Sequence, residues 1–178
     1  MNSKYFCPAH IEKLTNSERH AYSSWNELMQ RAIVAHVHCR IESADIYFRS
    51  ALEIALLRLG SSRKQLFSDV HLTKPLEFLI DTQLAERNYP GAVGLLSRVS
   101  SSLSDGAKNP TNTLLADLQH FYERVEKEEK NEMYEGRKDA EIRKLFSNER
   151  LKGNTNQTSK ILLSDVILES SGQQRRVH

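Results

Sequence analysis

The stretch TKPLEFLIDTQLAERNYPGAVGLLSRVSSSL, residues 73–103, decides the fold, because it predicts two helices joined by a short corner. Its first half repeats leucine and isoleucine at helical spacing, with Thr73 as the expected N-cap and Pro75 in the first turn. Pro90 cannot continue this helix but can begin another. The corner is therefore predicted at Asn88–Pro90, where small Ala92 lets the two helices approach closely.

Two further helices are predicted upstream of this hairpin. Ser17 is the expected N-cap of the first, and the second runs over Ser43–Leu59 with Ser43 as its N-cap and Gly60 just past its end. A break is expected between Arg40 and Ser43, because one unbroken helix would be too long for a compact domain. The buried face of the first helix is expected to hold Trp25, Leu28, Met29, Ala32, Ile33 and Val37.

The remaining sequence sets the predicted domain limits. Residues 1–16 are expected to form an N-terminal arm or a short helix, and Ser100–Asn112 is rich enough in Ser, Asp, Gly, Asn and Pro to predict a linker. The mixed charges after Val125 predict a charged C-terminal helix. The helical-repeat domain is thus predicted over residues 17–152, with hairpins at about 17–60, 73–103 and 110–152. It is followed over 153–178 by a linker, the short apolar segment ILLSDVIL (161–168) and a disordered tail. Residues 161–168 could dock on the repeats or bind a partner.

The composition is typical of a single all-helical domain. The chain has 178 residues, of which 39% are hydrophobic and 27% charged, with 7 glycines and 4 prolines. So few glycines and prolines disfavour a β fold with many turns, and we predict an all-α protein of antiparallel helical hairpins. The net charge of +2 is too small for a protein that coats nucleic acid or a membrane surface. The sequence shows neither a signal peptide nor a membrane-spanning run, which favours a cytoplasmic location.

Packing positions in both predicted hairpins resemble those of the tetratricopeptide repeat (TPR). The first hairpin carries Trp25-x-x-Leu28 and then Ala44-x-x-x-Phe48-x-x-Ala51, which is similar to the family's helix A and helix B signatures. The second carries Leu76-x-x-Leu79, an aromatic Tyr89 before its second helix, and Ala92-x-x-x-Leu96-x-x-Val99. The resemblance implies hairpins stacked as a short TPR-like superhelix with a concave binding face. It implies no catalytic residue, because these motifs define packing positions.

Two Cys/His pairs are candidate ligands of a zinc site. Cys7 and His10 have C-x-x-H spacing, and His36 and Cys39 have H-x-x-C spacing, so together they could supply a tetrahedral Cys2His2 set. Neither spacing matches a known zinc finger, and both pairs lie beside predicted helical faces. Ordinary core or surface roles and two reduced thiols are therefore expected, and no metal or cofactor is predicted.

The predicted function is non-enzymatic, because the chain contains no phosphate-binding, dinucleotide-binding, hydrolase or zinc-protease motif. We expect a protein-interaction module, such as an adaptor, scaffold or chaperone-like protein, that binds another protein or peptide; a homodimer is a further possibility. The rival hypothesis is a nucleic-acid-associated or zinc-binding regulatory protein that uses Arg58, Arg63 and Lys64 or the Cys/His set. The candidate partner-binding residues flank the packing positions of the first helix in each hairpin: Asn26, Gln30, Arg31, Asp81, Gln83 and Arg87.

Overall fold

The computed structural model describes residues 5–59, 66–104 and 110–151, with side chains of the last segment described to residue 144. All secondary structure in these ranges is α-helical, which confirms the all-α prediction. The predicted Gly60, Arg63 and Lys64, and the whole of 153–178 with its apolar segment 161–168, lie outside the described residues. The helices are α1 (Pro8–Asn16), α2 (Glu18–Val37), α3 (Ile41–Leu59), α4 (Asp69–Ala85), α5 (Tyr89–Ser104) and α6 (Asn112–Leu151).

The first two helices meet at Ser17, the predicted N-cap of α2. Its hydroxyl accepts the backbone N–H of His20 at 3.3 Å, so the predicted cap is confirmed. In α2 the small residues lie inward, while Ile33 and Val37, expected in the core, are 43% and 70% exposed. One residue along a helix turns the side chain by about 100°, so burying Ala32 directs Ile33 outward. The buried residues of α2 are Ala21, Met29, Ala32 and Ala35, against which Trp25 and Leu28 pack in part.

The joint between α2 and α3 lies slightly before the expected position. Cys39 adopts φ 55°, in the left-handed region, and the N–H of Arg40 bonds to the carbonyl of Ala35 at 2.8 Å. Such a closure ends a helix without glycine or proline. The next helix begins at Ile41, so Ser43 lies within its first turn and is not the N-cap.

Helix α4 starts five residues earlier than the sequence predicts. It begins at Asp69, with Ser68 as the N-cap, so Pro75 lies inside the helix rather than in its first turn. The imidazole of His71 reaches back to the backbone N–H of Ser68, the part that Glu or Gln plays in the common capping box. Because histidine at this position is not part of the usual signature, the sequence alone pointed to Thr73.

The corner between α4 and α5 spans residues 86–88, so it overlaps the predicted Asn88–Pro90 only at Asn88, and Tyr89 and Pro90 already lie in the first turn of α5. Ala92 is fully buried beside it. Helix α5 then continues to Ser104, which corrects the expected start of the linker at Ser100. The serines of this run are accommodated within the helix. Ser104 Oγ donates to the Ser100 carbonyl at 3.0 Å, and Leu103 is buried in the core.

The third expected hairpin is one long helix. Helix α6 runs from Asn112 to Leu151 without a corner, although residues 110–152 were predicted to fold back. The charged part of the sequence explains the continuation, because Glu126 and Lys130 pair at i,i+4 spacing and no proline interrupts the run. Gly136 lies within this helix.

Two compact units divide the chain, Met1–Lys130 and Asn131–His178. In the first, a large core takes side chains from α2 through α6, and a smaller core under α1 joins Leu14, Ala21, Ile54 and Phe67. Helix α3 is the centre of this unit, because 10 of its 19 residues are buried. In the second unit, Lys138 Nζ lies 5.0 Å from the centre of the Tyr134 ring. Within the described ranges, no helix combines the length and the apolar character needed to cross a membrane.

Candidate partner-binding face

Helices α2 and α4 lie side by side and run in the same direction. Near their beginnings, Trp25 and His71 have ring centres 4.6 Å apart. Further along both helices, His36 and Phe78 have ring centres 5.8 Å apart. Contacts that advance together along two helices require the helices to be parallel, so α3, which joins them, runs in the opposite direction.

Helix α6 lies on the other side of α4 with the same orientation. Thr111, just before α6, donates its hydroxyl to Asp69 in the first turn of α4. Arg124 then pairs with Asp81 at 2.7 Å, about three turns further along both helices. Up to Lys130, α6 is therefore parallel to α4. The first unit thus sets three parallel helices, α2, α4 and α6, beside α3 and α5, which both run in the opposite direction.

The side of α2 that contributes nothing to the core carries a stripe of exposed residues. Its apolar members are Tyr22, Ile33 and Val37, which are 39%, 43% and 70% exposed. Asn26 and Gln30, two of the predicted partner-binding residues, are exposed between them at i,i+4 spacing. Tyr22 also meets the His71 ring at 5.6 Å, so this stripe borders the contact between α2 and α4.

The corresponding side of α4 is more charged. Val70 is 56% exposed, and Lys74 pairs with Glu77 at 2.9 Å one turn later. Asp81, another predicted partner-binding residue, follows on the same side and pairs with Arg124 of α6. We call the exposed sides of these three helices the parallel-helix face; it comprises Tyr22, Asn26, Gln30, Ile33, Val37, Val70, Lys74, Glu77, Asp81 and Arg124.

Two predicted partner-binding residues belong instead to the corner between α4 and α5. Gln83 is buried, and its Oε1 accepts the Asn88 side-chain N–H at 2.7 Å. Asn88 Oδ1 in turn accepts the backbone N–H of Gly91 at 3.0 Å. Arg87 lies in the turn itself with φ 55°. We therefore leave Gln83 and Arg87 out of the parallel-helix face.

Arg31 lies on a different side of α2 from Asn26. It pairs with Glu27 at 2.5 Å and lines an open groove between α2 and the start of α3. Arg40, Ser43 and Tyr47 form the α3 side of this groove. The structure therefore places Asn26 and Gln30 on the exposed stripe of α2 and Asp81 on the corresponding side of α4. Arg31 lines the groove together with Gln30, which lies at the boundary of the two surfaces.

The four residues weighed for zinc do not meet. The rings of His10 and His20 lie 6.0 Å apart, which places the Cys7–His10 pair beside the first turn of α2. His36 is 16 residues further along that helix, about 24 Å away. Cys7 and Cys39 are both exposed free thiols. Within the described ranges, no group of three or more His, Cys, Asp or Glu side chains could hold a metal ion.

Arg58, one of the basic residues of the nucleic-acid hypothesis, is buried. It is 3% exposed, and its Nη1 donates to the Thr15 carbonyl at 2.6 Å, near the end of α1. A cation held in this way satisfies a helix-terminal carbonyl and cannot contact a phosphate backbone. Its role is to fasten α1 to α3.

Sequence reasoning missed the apolar members of the parallel-helix face. Ile33 and Val37 were assigned to the core because they fit helical spacing as well as the alanines do. The alanines at 21, 32 and 35 could have indicated the buried side of α2, since small residues at these spacings mark the side on which a second helix approaches closely. No family model, curated protein or solved structure matches this chain.

Proposed function

We propose that this protein is a non-catalytic interaction module with TPR-like stacking, which binds a peptide or helix of a partner protein across the parallel-helix face. The observation that carries the proposal is the exposed row Tyr22, Ile33 and Val37 on α2, interrupted by Asn26 and Gln30. Aromatic and aliphatic side chains supply binding energy when a partner covers them, and amides between them can bond to its backbone.

The ion pairs on α4 and α6 support the same face. Lys74–Glu77 and Asp81–Arg124 hold four charged side chains in fixed positions beside the apolar row. Exposed pairs of this kind add little stability, so their value to the protein would lie in recognition. An apolar strip bordered by charges of both signs suits an amphipathic segment with apolar residues on one side.

Site-specific photocrosslinking tests the proposal directly. A photoreactive amino acid is placed at Asn26 on the parallel-helix face, and at exposed Arg98 on α5 as the control. In extract from the native cells, position 26 is expected to give an adduct with one defined protein, which position 98 does not. Equal labelling at both positions, or no adduct at position 26, would contradict the proposal. An adduct with a second copy of this chain would show a homodimer interface instead.

A pair of substitutions then tests the apolar row. Ile33→Asp introduces a charge where the partner is expected to pack, while Val93→Asp introduces the same charge on α5 at nearly equal exposure, 40% against 43%. Ile33→Asp is expected to weaken binding of the identified partner at least tenfold, and Val93→Asp to leave it unchanged. Equal effects would show that the parallel-helix face is not the binding surface.

A further inference from the structure

The imidazole of His71 lies at the junction of α2 and α4 and makes a directed hydrogen bond there. Its Nδ1 accepts the backbone N–H of Ser68 at 3.0 Å and lies 3.1 Å from Ser68 Oγ. An imidazole nitrogen that accepts an N–H carries no proton, so the ring is neutral with its proton on Nε2. The start of α4 is thus capped by a histidine in one protonation state.

The same residue also fastens α2 to α4. Its carbonyl accepts the indole N–H of Trp25 at 2.9 Å, and its ring packs on the Trp25 ring at 4.6 Å. Phe67 and Tyr22 also contact the half-buried His71 ring, with ring centres 5.1 and 5.6 Å from its own. A change at His71 is therefore transmitted to both helices.

The charged and titratable groups around this junction are bound in their own contacts. From α2, Glu18 accepts the backbone N–H of Leu66 at 2.8 Å, and Tyr22 presents its ring. From α4, Asp69 accepts the hydroxyl of Thr111, and Lys74 pairs with Glu77. Desolvation lowers the pKa of His71 below its ordinary 6.5.

We propose that His71 is a proton-operated latch between α2 and α4: the neutral ring holds the start of α4 against Trp25, and protonation releases it. A proton on Nδ1 converts the acceptor of the Ser68 N–H into a donor, so that two N–H groups face each other across 3.0 Å. This repulsion is relieved when the ring turns away from Ser68. This inference does not rest on the proposed function.

The sign of the pH dependence follows from the direction of the pKa change. Because the folded state binds the proton less well than the unfolded state, the contribution of His71 to stability is fully present above pH 6.5. It is lost as the pH falls from 6.5 through the lower pKa of the folded state. The latch is closed above pH 6.5 and opens as the pH falls below that value.

Trp25 reports on the latch, since it is the single tryptophan of the chain. In the full-length protein, lowering the pH is expected to move its emission reversibly to longer wavelength, with a midpoint below 6.5. The ring protons of His71, followed by NMR, should titrate with the same midpoint. A drop in intensity without a wavelength shift would overturn the proposal, because His71 would then titrate with the helices still in contact. So would a midpoint at or above 6.5.

Two variants assign the transition to His71. Glutamine is a normal capping-box residue, so His71→Gln keeps an acceptor for the Ser68 N–H without a titrating group. This variant is expected to lose the emission shift, while the matched control His36→Gln, on the other α2–α4 ring contact, keeps it. Persistence of the shift in His71→Gln would overturn the proposal. Should His71→Gln not fold, agreement between the NMR and emission midpoints of the unaltered protein decides the matter alone.

Discussion

Pro75 lies inside α4, where proline is normally costly, and one side chain of α2 compensates for it. Proline has no N–H, so it cannot bond to the carbonyl four residues earlier, which belongs to His71. The indole N–H of Trp25 donates to that carbonyl instead, at 2.9 Å. The carbonyl of α4 that Pro75 leaves without an intrahelical donor thereby forms a specific hydrogen bond with α2.

This compensation predicts a non-additive pair of substitutions. Trp25→Phe removes the donor and should cost about 1–3 kcal/mol in the free energy of unfolding beyond the loss of packing, because a partly buried carbonyl loses its partner. In a Pro75→Ala background the new N–H at position 75 can bond to the same carbonyl, so the cost of Trp25→Phe should be smaller. Urea unfolding followed by far-UV circular dichroism measures all four proteins. Equal costs in the two backgrounds would show that the indole does not replace the missing N–H.

Arg58 gives a second prediction for a single side chain. Its buried guanidinium donates to the Thr15 carbonyl, so Arg58→Met keeps much of the apolar length but removes this charged donor. The expected loss is about 1.5–3 kcal/mol in the free energy of unfolding. The exposed Arg98→Met should change it by less than about 0.5 kcal/mol. Hydrogen exchange should also rise in α1 for the Arg58 variant; unchanged exchange there would contradict its role in fastening α1.

At the scale of an element, the corner between α4 and α5 is fixed by two side-chain amides and a glycine. Gln83 and Asn88 bond to each other, and Asn88 also accepts the N–H of Gly91. A methyl group at Gly91 would lie closer than 3.0 Å to both amides, whereas one at Gly94 meets nothing within 4 Å. The tightness of the corner thus depends on one of the two glycines of α5.

Alanine substitutions at these glycines should therefore have opposite effects. Gly91→Ala must displace the paired amides and is expected to destabilise the protein by about 1–3 kcal/mol. Gly94→Ala is expected to stabilise it by up to about 1 kcal/mol, since alanine favours a helix and the space is open. Thermal unfolding of the two variants gives the comparison. Stabilisation by both would mean that the amide pair does not restrict the corner.

The helices differ in how well the sequence predicts their limits, and the reasons are local. The cap at Ser17 and the existence of a corner before Pro90 follow common rules of capping and turn formation, so both are predicted, although the corner itself lies at residues 86–88. The predicted start of α4 is wrong because His71 takes the position of Glu or Gln in the capping box, and because the prediction places Pro75 in the first turn. The predicted hairpin at 110–152 is wrong because the charged sequence after Val125 continues α6 without a buried side, as the exposure of its described side chains shows.

For the whole first unit, the sequence predicts the class of fold better than the face that could bind a partner. Apolar residues at helical spacing suffice to predict packed helices. Which side of each helix is buried depends on neighbours that are distant in sequence. In α2, for example, the burial of Ala32 leaves Ile33 exposed. Likewise the sequence does not indicate that Gln83 and Arg58 are buried, because their partners, Asn88 and the Thr15 carbonyl, become evident only in three dimensions.

The central position of α3 predicts that the first unit unfolds as a whole. This helix packs on α2, α4 and α5, and its Phe48 ring stacks on Phe78 of α4 at 4.6 Å with an interplanar angle of 8°. Phe48→Ala should therefore cost about 3–5 kcal/mol, and the loss should be shared by both hairpins rather than confined to α2 and α3. Native-state hydrogen exchange tests this by comparing the opening free energies of α3 and α5, with Val93→Ala on the surface as the control. A fall in α3 with no change in α5 would show instead that the two hairpins are independent and that α3 does not couple them.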